Sequence, residues 1–133
     1  MIIDSSAVLA ILRAEPERVV FARTIASASV NRISAANLFE AAIVMDGSRD
    51  AVASRKFDEF IEESGVIVEP VSASQARLAR VAYRNFGRGS GHPARLNFGD
   101  CFAYALAIET GEPLLFKGQD FGRTDVMRAV PEA

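Results

Sequence analysis

Four short apolar runs, MIID, VNRIS, GVIVEPV and EPLLF, are separated by stretches of helical composition. This alternation constrains the fold more than any other feature of the chain. Strands that recur between helices argue for a parallel sheet buried on both faces, because each crossover places a helix on one side or the other. The segments between them are SSAVLAILRAE, PERVVFARTIASAS, SAANLFEAAIVMDG, DAVASRKFDEFIEESG, SASQARLARVAYRNFG and NFGDCFAYALAIETG. Pro16 is expected at the first position of the second helix. Ser34 suits the cap of the third, and Gly47 and Gly111 suit helix ends. In DAVASRKFDEFIEESG, Ala53, Phe57, Phe60 and Ile61 share an inward face, with Asp58, Glu59, Glu62 and Glu63 outward. KGQDFGRTDVMRAV holds a turn and a short fifth strand. The expected architecture is a three-layer α/β/α sandwich with a central parallel sheet, one domain over residues 1–133.

Half of the residues are apolar, enough for a core, and the formal net charge of −2 gives no global attraction to a polyanion. A nucleic-acid site would have to be a local patch. The lone cysteine, Cys101, excludes an intrachain disulfide and fits a reducing compartment. The first residues lack a basic region and are broken by Asp4, unlike a signal peptide, and no apolar run is long enough to span a bilayer. A cytoplasmic protein is expected.

In open α/β sheets, ligands bind beyond the carboxyl ends of the strands. Asp4 ends the first strand, although it also suits an N-cap. Glu40 is the only charge within LFEAAIVM and lies past any capping turn. A carboxylate there is costly unless it is paired, with Arg13 or Arg95 for example, or reaches water or a metal. Asp100 follows Asn97 by three, which fits a capping box as well as a site. Asp120 and Asp125 follow the fourth strand, where turn acids are common. Asp4, Glu40, Asp100 and Asp120 are expected to converge on one sheet edge. Acids so placed repel one another unless hard divalent cations sit among their oxygens, and Mg²⁺ or Mn²⁺ suit such donors.

From Pro70 to Gly99 there is no acidic residue, yet the stretch holds Arg77, Arg80, Arg84, Arg88, Arg95 and His92. The spacing of the first four puts them on one helix face. A solvated outer face explains them, and so does a strip that follows phosphates, for which Arg84, Arg88 and Arg95 are the candidates. GRGSGH lacks the ending of a P-loop and reads as a mobile lip of the groove. Cys101 reads as a core thiol, and His92 as exposed or near the substrate.

In order and spacing, MIIDSSAVLAIL, SAANLFEAAIV, LNFGDCFAYALA and EPLLFKGQDFGRTDV resemble the PIN-domain family, specifically VapC toxins of type II toxin–antitoxin systems. The resemblance implies an α/β/α ribonuclease using Mg²⁺ or Mn²⁺, neutralised by a VapB-type antitoxin and usually dimeric. Carried over, the acids are Asp4, Glu40 and Asp100. Asp4 and Asp100 match the metal-holding positions most directly, with Glu40 and Asp120 as further candidates. Ser5 and Asn97 would hydrogen-bond around them. One position departs from the pattern. Many PIN domains carry threonine, any residue, then aspartate after the fourth strand, whereas this chain has Phe116, Lys117 and Gly118. Asp120 is the substitute, which leaves the fourth ligand and a second metal open. A degenerate PIN domain that binds RNA or protein without cleavage, and a nuclease acting on DNA, stay open beside this reading. A receiver-like phosphoacceptor is disfavoured, because the third strand ends Glu69-Pro70 with no acceptor aspartate.

Overall fold

The computed structural model describes residues 1–131. Its elements are β1 (Ile2–Ile3), α1 (Ser5–Leu12), α2 (Arg18–Ser27), β2 (Arg32–Ser34), α3 (Ala35–Gly47), α4 (Ala51–Ser64), β3 (Ile67–Glu69), α5 (Ala73–Phe86), α6 (Phe98–Thr110) and β4 (Leu114–Leu115). The four strands form a parallel sheet in the order β3-β2-β1-β4. Successive strand residues point to opposite faces, and that rule divides the core. Ile2 and Leu114 pack with Leu96, Cys101, Tyr104 and Leu106 beneath α5 and α6. Ile3, Ile33 and Leu115 pack on the other face with Val8, Phe21, Met45 and Phe57 from α1 to α4. The expected three-layer α/β/α sandwich is therefore the observed fold.

Several boundaries shift for local reasons. Pro16 precedes α2 in a turn instead of occupying its first helical position, and Glu17 is the N-cap residue. The inward face of α4 is as expected, with Phe57 buried and Ala53, Phe60 and Ile61 packed on the same cluster. The fifth strand is reduced to one parallel bridge between Leu114 and Arg128. Leu114 N–H donates to Met127 O at 2.8 Å, and Ala129 N–H donates to Leu114 O at 2.9 Å. Pro131 follows closely and has no N–H to extend the ladder. Among the described residues no helix is long and apolar enough to cross a membrane.

The strand order positions the site. The chain leaves β1 toward β2 and β3, then returns through α5 and α6 to β4 on the other side of β1. The direction of progression reverses at β1, so the crevice beyond its carboxyl end is the place this topology offers a ligand.

Candidate acidic site at the switch point

Asp4 follows β1 and is 2% exposed. Its Oδ2 accepts from Ser6 N–H at 3.0 Å, capping α1. Its Oδ1 is buried with no hydrogen-bond partner. Burial raises its pKa to about 7, with the negative charges of Asp100 and Glu40 adding, against the opposing bonds to Ser6. The capping bond thus uses one carboxylate oxygen and leaves the other as a buried acceptor for a further partner, the absence of which costs about 1–3 kcal/mol.

Glu40 reaches toward this point from α3. Neither Arg13 nor Arg95 pairs with it. Its Oε1 accepts a short hydrogen bond from Ser5 Oγ and a longer one, 3.4 Å, from Asn37 Nδ2. Gly99 in the first turn of α6 lies directly against it: a Cβ there would stand 2.0 Å from Glu40 Oε2. Asn37, fully buried, also donates to Gly99 O at 3.0 Å, which ties α3 to the start of α6. Asn37 and Gly99 were not among the sequence candidates. The available signal was a glycine inside a helical turn, where it costs stability relative to alanine unless something needs the space.

Asp100 completes the expected capping box with Asn97. Asp100 N–H donates to Asn97 Oδ1 at 2.9 Å, and Asn97 N–H donates to Asp100 Oδ2 at 3.0 Å. Its pKa is raised to about 6, first by burial and then by Glu40 and Asp120, while the Asn97 bond and Arg88 pull the other way. Asp120 is exposed and precedes a short 3-10 turn without capping it. Gly118 has a φ of +101°, a conformation that an aspartate would adopt only with strain. Asp120 therefore brings charge toward Asp100 from a position where a side chain is tolerated. Asp125 belongs elsewhere: it accepts from Tyr104 O–H at 2.7 Å and ties α6 to the following segment.

Asp4, Glu40, Asp100 and Asp120 thus surround one edge, each within electrostatic reach of at least one other. They do not form a ready cage: among the described residues no three Asp, Glu, His or Cys groups stand close enough to hold a metal ion. Asp4, Glu40 and Asp100 are each engaged in local hydrogen bonds, with Ser6, Ser5 and Asn97 respectively. The donor set is all carboxylate oxygen, which matches Mg²⁺ or Mn²⁺, cations that keep several waters and need few direct protein ligands. With the unpaired Asp4 Oδ1, the residues fit such a cation.

The arginine strip is partly redistributed. α5 ends at Phe86, so Arg88 lies beyond the helix and does not continue its face. Arg80 and Arg88 line a cavity beside the start of α6, whereas Arg84 and Arg95 are exposed and do not line it. The glycine-rich lip is held by Leu96 N–H on Phe86 O at 2.8 Å and Arg88 N–H on Leu96 O at 3.0 Å. His92 Nδ1 accepts from Ala94 N–H at 3.0 Å, and its ring packs edge-on against Phe86, so it shapes this loop. Cys101 is a core thiol as expected, pushed up to about 11 by burial and by Asp100.

Replacing Gly99 with alanine separates the site from the fold. The added methyl collides with the end of a flexible side chain, so Glu40 must leave Ser5 while α6 retains a good helix former. Thermal unfolding should shift little, and activity should fall about 100-fold, the scale of a small misplacement of a working group. Equal activity at equal stability would remove Glu40 from the site.

Fold and site together define a class: a three-layer α/β/α protein with carboxylates gathered at the sheet's switch point. Comparison with known proteins names it. The sequence matches the PIN domain family over residues 1–127. Ribonuclease VapC28 of Mycobacterium tuberculosis is 59% identical over 98% of this chain and 98% of the relative. Ribonuclease VapC42 of the same species is 46% identical over 97% and 98%, and Ribonuclease VapC of Mycolicibacterium smegmatis is 44% identical over 95% and 97%. The crystal structure of M. tuberculosis VapC20, described as a Sarcin-Ricin loop cleaving toxin, superposes with a TM-score of 0.75 over 98% of both chains at 20% identity, a likeness of fold. The chain belongs to the PIN-domain family, among the VapC ribonucleases.

Proposed function

We propose that this chain is the toxin of a type II toxin–antitoxin pair, a divalent-cation-dependent endoribonuclease that hydrolyses RNA phosphodiester bonds in the cytoplasm. The observation that carries the reading is the buried, unpaired Oδ1 of Asp4 within the fields of Asp100 and Glu40. Asp4 and Asp100 would hold Mg²⁺ or Mn²⁺, with Glu40 and Asp120 as further candidates, and the cation would supply Lewis-acid stabilisation of phosphate charge and activation of water. Ser5 and Asn37 orient Glu40 so that its carboxylate can accept a proton from the attacking water. Asn97 fixes Asp100 through the capping box, so that ligand orientation is set by the helix start. Arg88 offsets the acid charge on the side from which an RNA phosphate approaches. A VapB-type antitoxin as inhibitor belongs to the same reading, supported by the names of the VapC relatives, and a homodimer is proposed as the working form.

The test is cleavage of end-labelled RNA and DNA strands of the same sequence, with Mg²⁺, with Mn²⁺ and with chelator. RNA should be cut only when a cation is present, and DNA should survive. Cutting that persists in chelator, or equal cutting of DNA, sinks the reading.

A further inference from the structure

Between α5 and the first turn of α6 lies a cavity of about 620 Å³. Tyr83 lines it from α5, and Phe98 and Phe102 line it from α6. Phe98 and Phe102 are four residues apart, hence on one helix face. Their rings meet edge to face, with centroids 4.9 Å apart. Phe98 is 79% exposed, the most exposed large apolar side chain among the described residues, and Tyr83 is 48% exposed. Arg80 and Arg88 also line the cavity, and no acid does. Asn97 belongs to the lining and also caps Asp100, so the cavity and the acidic edge share a wall.

Exposed aromatic faces, arginines and the absence of acids are what an unpaired nucleobase on a phosphate strand requires. The base stacks on rings, and guanidinium groups meet phosphates or stack in turn. We propose that this cavity seats one unpaired base of the RNA, adjoining the phosphate presented to the acids. The inference rests on the ribonuclease reading. It adds where the strand's specificity contact lies and which side chains make it: Phe98 and Tyr83 as stacking faces, Arg80 and Arg88 as phosphate partners.

The test combines protein and RNA changes. Wild type, Phe98→Ala and Phe98→Tyr are given cleavable RNA in which each nucleotide around the cleaved bond is made abasic in turn. KM, kcat and subunit mass in solution are followed. One abasic position should raise the wild-type KM roughly tenfold, the size of a lost base stack, with kcat nearly unchanged. Phe98→Ala should show a similar rise on intact RNA and little further loss at that position, and Phe98→Tyr should restore wild-type behaviour. Because Phe98 projects into solvent, the alanine variant is expected to fold, which circular dichroism checks. If abasic penalties are the same in wild type and Phe98→Ala at every position, the proposal is overturned while the ribonuclease reading stands. If Phe98→Ala changes only the subunit mass and leaves KM per subunit unaltered, the cavity is an interface between copies and the proposal is overturned. If the wild type cleaves no RNA under any cation, both readings fall together.

Discussion

Asp4→Asn is expected to lower RNA cleavage by roughly 10³-fold, the scale of removing one preorganised charge-stabilising group, while leaving the protein folded. The same substitution should raise, not lower, the stability of the metal-free protein at neutral pH. The reason lies in the two oxygens. Oδ2 bonds Ser6 N–H, a role an amide oxygen can retain, whereas Oδ1 is buried without a donor. An amide nitrogen at the Oδ1 position removes a charge from a desolvated place near two other acids. Loss of function coupled to gained stability is the signature of a group retained for chemistry. Cleavage assays and thermal melts on the same preparation check both halves. A variant that is less stable and still active would return Asp4 to service as a helix cap.

A second large effect concerns pH in the absence of divalent cations. Asp4 is raised from 3.8 to about 7, and Asp100 from 3.8 to about 6, each chiefly by burial. A folded-state pKa above the unfolded value means that the folded protein binds more protons across that window. Stability therefore declines as pH rises from about 4 to 7, by on the order of several kcal/mol for Asp4, and the decline levels off above about pH 7. The contribution is fully present below the unfolded pKa and lost through the folded one. Chelated protein should melt several degrees lower at pH 7.5 than at pH 5.5. Mg²⁺ or Mn²⁺ should reverse the decline by binding the ionised carboxylates. Asp4→Asn should flatten the profile without any cation. A chelated wild type whose melting temperature rises over the same interval would contradict the environment described for these acids.

The layers of the fold were legible because they rest on period: Ile2 and Ile3 must face opposite sides, and Phe57, Phe60 and Ile61 must share one. The capping box at Asn97 and Asp100 was legible because it depends on residues three apart. The fifth strand is shorter than composition suggests, because pairing to β4 depends on how Arg128 and Pro131 end the segment. Spacing alone puts Arg88 on a helix face, but the helix stops at Phe86 and the following loop turns back to pair with Leu96. Charge alone suggests Arg13 or Arg95 as the partner of Glu40, whereas the bond that forms is from Ser5, which the family resemblance implies around the acids. Ser5 is 35 residues away, and its hydroxyl meets Glu40 only once β1 and β2 lie side by side. Asn37 and Gly99 were hidden in the same way. The value of a buried amide or a missing methyl is set by what another helix places against it.

Calorimetric titration of Mn²⁺ at pH 6.5 into wild type and Asp100→Asn, repeated in buffers of different ionisation enthalpy, tests most directly whether the acidic edge holds a divalent cation. The expected result is binding to the wild type with net proton release, as the raised carboxyls give up protons to the buffer. Binding to a fully folded Asp100→Asn should be at least about tenfold weaker, with less release. Equal binding by both proteins, or no binding by the wild type, would contradict it.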